Sequence, residues 1–206
     1  MRPQHLAIAA LAFVAGCARA PASPQSSQPA IEITIRSPAA PPPEVLGTQP
    51  PEWSLTDWVN GDGVTLSELR GQVVLVRWFT GDWCDDCSAT APALRHFYET
   101  YKDLGFAVVG MFHNSDASSL ADVEKIVKQK YQYAFPVAID RKTETRKAWC
   151  QGNDDWATSV TFLLDRRGTI RHVHPGGRYV DGDFEYDTIE RTILDLLVEP
   201  SEDNAP

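Results

Sequence analysis

From residue 70 onward, apolar positions follow two rhythms. Val73-Val74-Leu75-Val76-Arg77-Trp78-Phe79 is apolar at every position but one, the pattern of a central strand covered on both faces. Phe106-Ala107-Val108-Val109-Gly110-Met111-Phe112 repeats that pattern, and Phe135-Pro136-Val137-Ala138-Ile139 is a shorter third strand. The stretches between them have helical spacing. Ser88 to Lys102 forms one predicted helix, with Pro92 inside it. Leu120, Val123, Val127 and Tyr131 make the apolar stripe of another, for which Asn114-Ser115-Asp116 offer caps. Thr143 to Trp149 is a short helix. Val160–Leu164 and Thr169–Val173 flank Asp165-Arg166-Arg167-Gly168 and read as a hairpin. A last helix turns Tyr186, Ile189, Ile193, Leu196 and Leu197 inward. Strands alternating with helices, closed by a late hairpin, predict an α/β sandwich with a mixed central sheet flanked by helices.

Upstream the pattern changes. Met1 to His5 is short and basic, and Leu6 to Ala15 is an apolar run of signal-peptide length, well short of the roughly 20 residues that cross a bilayer. Val14-Ala15-Gly16-Cys17 resembles the lipobox of bacterial lipoproteins, which implies cleavage before Cys17 and lipid on its sulfur. Between Ala18 and Pro51 lie nine of the fifteen prolines, with Ala, Ser and Gln among them, the composition of a semi-extended tether. Within it, Ile31 to Arg36 alternates like a strand that extends the domain edge. The expected organisation is a signal peptide over 1–16, a tether over 17–50, a folded domain over 51–200 and a tail over 201–206.

Composition narrows the function classes. The chain has 206 residues, 43% hydrophobic and 23% charged, which suits one domain. Its net charge is 19 − 28 = −9, with no Lys/Arg cluster, so it lacks the electrostatic footprint of a nucleic-acid binder. Four cysteines are too few for a disulfide-rich scaffold, so each needs its own account.

Two of them stand in Trp83-Cys84-Asp85-Asp86-Cys87, after a buried strand and at the start of a helix. There Cys84 meets the unpaired N–H groups of the helix end, which favour its thiolate, and Cys87, one turn on, can resolve a mixed disulfide. As a structural staple the pair would be poor, because so short a loop removes only about 2 kcal/mol of chain entropy. As half of a metal site it needs two more ligands, for which Cys150 with His172 or His174 are the candidates. Asp85 and Asp86 complement the helix dipole. Each carboxylate, about 7 Å from a sulfur at an effective dielectric of about 40, also opposes the thiolate by about 1 kcal/mol. That predicts a reductant rather than an oxidant. Cys150 is either a small buried apolar residue or a third redox cysteine.

Pro51-Glu52-Trp53-Ser54-Leu55, the stretch Val64 to Val76, Trp83 to Leu94 and the hairpin Thr161 to Arg171 together resemble, in order, the TlpA/ResA group of thioredoxin-like proteins, relatives of the AhpC/TSA redoxins. The resemblance covers about residues 50–198. It implies a thioredoxin-like sandwich and a membrane-anchored, extracytoplasmic location, at the periplasmic face of a bacterial membrane. It also implies thiol–disulfide exchange with protein disulfides, of the kind used to mature cytochrome c or copper sites. Cys84 would attack and Cys87 resolve, with Trp83, Asp85, Asp86 and Ser159 shaping the site and no cofactor. Ala18 after Cys17 favours the outer membrane, and a monomer is expected.

The sequence departs from the group's pattern in three ways. Ser159 stands where a cis-proline usually faces the C-x-x-C, and a non-proline cis bond costs roughly 2.5–4 kcal/mol, so the Thr158–Ser159 bond is expected to be trans. Trp78 takes the place of thioredoxin's buried acid, leaving Asp82, Asp85 or Asp86 as stand-ins. The segment from Trp149 to Trp156 is long and carries Cys150. Two alternatives therefore accompany the oxidoreductase: a copper or zinc carrier, and a peroxidase of the peroxiredoxin type.

Overall fold

The computed structural model describes residues 44–200, apart from 82, 114–118, 152, 154, 155 and 157. Cys17, the strand-like Ile31–Arg36 segment, the helix caps expected at Asn114 to Asp116, Asp82 and the tail lie outside the described residues.

Six strands form one mixed sheet in the order β1-β4-β3-β2-β5-β6. They are β1 Trp58–Val59, β2 Val73–Phe79, β3 Phe106–Phe112, β4 Val137–Ile139, β5 Thr161–Leu164 and β6 Ile170–His174. β2, β3 and β4 run parallel, and β1, β5 and β6 join antiparallel to their neighbours. The helices are α1 Asp85–Tyr101, α2 Leu120–Lys125, α3 Glu144–Cys150 and α4 Phe184–Val198.

β2 and β3 span the predicted runs, and all seven residues of β2 are buried. Alternation along β2 sends Val73, Leu75 and Phe79 into one core cluster with Cys87, Leu94 and Phe97 of α1 and Ile189 and Ile193 of α4. Val74, Val76 and Trp78 go into a second cluster with Trp149 and Cys150 of α3. At roughly 25 cal/mol per Å² of apolar surface, two such faces supply most of the drive to fold.

Local chemistry sets several boundaries. α2 starts at a capping box in which Ser119 Oγ accepts from Asp122 N at 3.2 Å and Asp122 Oδ2 accepts from Ser119 N at 3.1 Å. Val123, Val127 and Tyr131 of the predicted stripe are buried, whereas Leu120 stays in solvent in the first turn. In the hairpin, Gly168 takes φ +73°, its N–H donates to Asp165 O at 2.8 Å, and Asp165 Oδ1 accepts from Arg167 N and Thr169 N.

The folded part begins earlier than expected. Val45 is fully buried, Gly47 N donates to Ile170 O and Ile170 N to Thr48 O, each at 2.8 Å. These residues, assigned to the tether on their prolines, instead pack and pair against the start of β6. Among the described residues no helix is long and apolar enough to cross a membrane.

Candidate redox site

β2 ends at Phe79, and α1 begins with Cys84 as its N-cap, three residues before the predicted helix start at Ser88. Pro92 stands inside the helix, in its second turn, where it removes one backbone hydrogen bond and crowds the carbonyl of Ser88. The turn between strand and helix is fixed twice. Cys84 N donates to Gly81 O at 3.2 Å, and the buried Tyr131 hydroxyl donates to Gly81 O at 3.0 Å.

Cys84 and Cys87 form a disulfide with Cα atoms 5.2 Å apart. The two sulfurs differ in access: Cys84 is half-buried, Cys87 is 1% exposed. Cys84 Sγ accepts a hydrogen bond from Cys87 N at 3.1 Å, so the first sulfur occupies the place of a helix-capping oxygen. Trp83 beside it is 69% exposed, and Asp85 and Asp86 are exposed in the first turn of α1.

Among the described residues the peptide bonds are all trans, Thr158–Ser159 included. Ser159 is buried. Its Oγ accepts from Gly177 N at 2.9 Å and lies 3.3 Å from Gly177 O, so a side-chain bond holds the loop where a proline ring was missing. His113, at the end of β3, places Nε2 3.0 Å from Thr158 O, and burial pushes its pKa down.

Trp78 points into the second cluster and donates from Nε1 to Asp140 Oδ2 at 3.1 Å. Asp140 is buried and also accepts from Arg146 N at 2.9 Å, so this carboxylate serves the start of α3. Of the stand-ins considered for a buried acid, Asp85 and Asp86 face solvent, and Asp82 lies outside the described residues.

Cys150 is not brought to the disulfide. It sits 2% exposed at the end of α3 in the second cluster, whereas Cys87 packs in the first. The expectation of a third redox cysteine fails within the monomer on this geometry, as does the shared metal site of Cys150 with the C-x-x-C. The small apolar reading of Cys150 fits its surroundings. His172 and His174 share the face of β6 that meets Leu163 and Thr161, and His174 packs its ring on Tyr179 with centroids 5.3 Å apart. Among the described residues no group of three or more His, Cys, Asp or Glu side chains is placed to hold a metal ion.

Sequence reading did not bring together Arg77, Thr90 and Tyr179, which are all buried and of which Arg77 touches the other two. The one visible signal was Arg77 itself, a lone cation in an otherwise apolar strand.

Residues 46–173 match the family model described as "AhpC/TSA family". The chain is 33% identical over 131 residues to the chloroplastic peroxiredoxin Q of Suaeda salsa, covering 62% of this chain and 58% of that one. It is 30% identical over 125 residues to the thiol-disulfide oxidoreductase ResA of Bacillus cereus, covering 61% of this chain and 66% of that one. Both coverages fall short of two thirds of the relative's length. The fold is shared with a thiol-disulfide isomerase from Corynebacterium glutamicum, with a TM-score of 0.59 and 23% identity, over 73% of this chain and 97% of that one. It is shared also with a thioredoxin-like protein solved in its oxidised form, with a TM-score of 0.61 and 18% identity, over 77% and 99%.

Proposed function

We propose that this chain, which belongs to the AhpC/TSA family, is a TlpA/ResA-like thiol–disulfide oxidoreductase that reduces disulfides in partner proteins through Cys84 and Cys87. One observation carries the reading: a disulfide at the N-cap of a helix with one sulfur open to a partner and the other sealed beneath it. The ResA relative supports it, as does the order of motifs around the pair.

In the reduced protein the helix-end N–H groups favour the Cys84 thiolate. That thiolate attacks one sulfur of a partner disulfide, forming a Cys84–partner bond and expelling the other partner sulfur as thiolate. Cys87 then delivers its electron pair to Cys84 Sγ, the Cys84–partner bond breaks, and the second partner thiolate leaves. The partner has gained two electrons and the Cys84–Cys87 disulfide has formed. Trp83 offers an exposed apolar surface beside the attacking sulfur, and Ser159 shapes the wall facing it. No cofactor takes part in these steps.

The same proposal places the domain outside the cytoplasm, lipid-anchored through Cys17 to a bacterial membrane, with the outer membrane favoured. The signal-like Leu6 to Ala15 run and the lipobox-like Val14 to Cys17 support this location. Partners of the kind that mature cytochromes c or copper sites follow from the TlpA/ResA likeness. Thiol trapping of the soluble domain across a dithiol buffer series tests the direction. A reversible two-electron couple near or below about −220 mV supports a reductant, and a value near −120 mV makes the protein an oxidant.

The peroxiredoxin Q relatives favour a second reading, a peroxidase at the same pair. Hydrogen peroxide consumption that stops when Cys84 or Cys87 is replaced would establish it.

A further inference from the structure

Arg77 is the exception in β2, and it is 1% exposed. Its Nη1 donates to Thr161 Oγ1 at 2.8 Å, and its Nη2 donates to Gly177 O at 2.9 Å and Thr90 Oγ1 at 3.3 Å. The guanidinium carbon lies 4.7 Å from the Tyr179 ring centroid, and Nε is buried with no acceptor. Every partner is neutral. A buried charge without a counter-ion is expensive, and a guanidinium keeps its charge in proteins.

One buried group on α1, the helix that Arg77 reaches through Thr90, changes charge during the proposed reaction. Cys87 is 1% exposed and precedes Thr90 by one turn on the buried face of α1, a spacing that holds Cβ atoms about 5–6 Å apart. In the disulfide Cys87 is neutral, and after reduction it can carry a thiolate. The other groups facing this region are the Tyr131, Tyr133 and Tyr179 hydroxyls and, from β6, His174. Asp85 and Asp86, on α1 itself, are exposed.

We propose that Arg77 is a positioning residue for the exchange: its guanidinium is the built-in counter-charge of the reduced Cys87 thiolate. This rests on the dithiol reading above and deepens it. Arg77 cannot accept the Cys87 proton, so the proton leaves to solvent or to the departing partner thiolate, and the cation stabilises the sulfur that remains. Cys87 is then ready at neutral pH to break the Cys84–partner bond. Stabilising the thiolate also favours the reduced pair, so Arg77 raises the reduction potential and offsets the opposing carboxylates of Asp85 and Asp86.

The experiment compares Arg77→Lys and Arg77→Met with the wild type. It follows thiolate absorbance against pH in the reduced Cys84→Ser background, where Cys87 is the sulfur next to α1, and the reduction potential in the two-cysteine protein. In Arg77→Met the Cys87 titration should move up by about one pH unit or more, and each tenfold loss of thiolate stabilisation lowers the potential by about 30 mV. Arg77→Lys, which keeps a charge, should recover at least half of both shifts. A folded Arg77→Met protein with an unmoved titration and potential would overturn the proposal and leave Arg77 a packing residue. Where Arg77→Met does not fold, Thr90→Val decides. It removes the bond that holds the guanidinium to α1 and should raise the Cys87 titration by about half a unit, and no change would be equally fatal. The titration is read on reduced thiols and does not depend on any partner. A wild-type pair that never exchanges with dithiols would therefore fail the function while leaving this test standing.

Discussion

The sulfur of Cys84 accepts the backbone N–H of Cys87 at 3.1 Å, so the cysteine that meets solvent is also the cap of the helix that carries its partner. Capping and chemistry are thereby coupled: the dipole field that favours an anion at a helix start acts on this sulfur. Replacing Cys84 with alanine removes the attacking sulfur and is expected to abolish exchange. Replacing Cys87 with serine leaves attack in place but removes resolution, so Cys84–partner adducts should accumulate and run as shifted bands on non-reducing gels. Adducts with Cys84→Ser in place of Cys87→Ser would reverse the assigned roles.

Cys150 and Cys87 lie on opposite faces of one sheet. Cys150→Ala is therefore expected to leave the reduction potential and the exchange rate unchanged, at a stability cost of about 1 kcal/mol for the buried atoms removed. Urea unfolding measures the second, and thiol trapping the first. A potential that moves would show that the two faces communicate.

Much of this architecture was legible because burial on both faces leaves a continuous apolar run. β2 and β3 begin and end where Val73 to Phe79 and Phe106 to Phe112 do. The C-x-x-C was legible for the same reason, since a strand followed by a helix start gives the motif its meaning. The boundary near Val45 was not, because proline content signals a tether and says nothing of pairing partners far along the chain. The apolar spacing of α1 shows only from Ser88, and it was the motif that carried the helix start back to Cys84, the residue that caps it. Arg77 was visible as an oddity, but its neighbours Thr90, Thr161 and Gly177 come from three distant segments that only the fold unites.

Gly110 on β3 sits where the sheet leaves no room for a side chain. A Cβ there would stand 2.9 Å from Val137 Cγ2 and 3.0 Å from Phe79 Cε1. Both neighbours are buried, and the Phe79 ring packs on Phe112, Tyr131 and Tyr133 with centroids 5.5 to 5.6 Å apart. Gly110→Ala is expected to cost about 1–3 kcal/mol through overpacking, read as a lower urea midpoint with an unchanged slope. Phe79 ends the strand that delivers Cys84, so the rate of exchange should fall with it. A neutral result would mean that β4 shifts aside freely.

Buried histidines set the response to acid. Burial, together with the Arg77 and His172 charges, pushes the His174 pKa down from 6.5 to about 3, and Asp183 opposes only in part. A carboxylate oxygen, Glu185 Oε2, stands 3.8 Å from Nε2. Above pH 6.5 the imidazole is neutral in folded and unfolded chains alike, and stability does not depend on it. Below that value the unfolded chain takes up a proton that the folded chain refuses until about pH 3. The unfolded state then binds more protons, so stability falls with pH, by up to about 1.4 kcal/mol per unit for one such group. Burial lowers His172 and His113 too, which steepens the slope. Urea unfolding at pH 7.5 and pH 5 tests this in a window above the carboxylate range, and the midpoint should drop clearly at pH 5. His174→Leu should flatten the slope, because its unfolded state no longer gains that proton. An equal slope in the variant would assign the acid sensitivity to the other histidines.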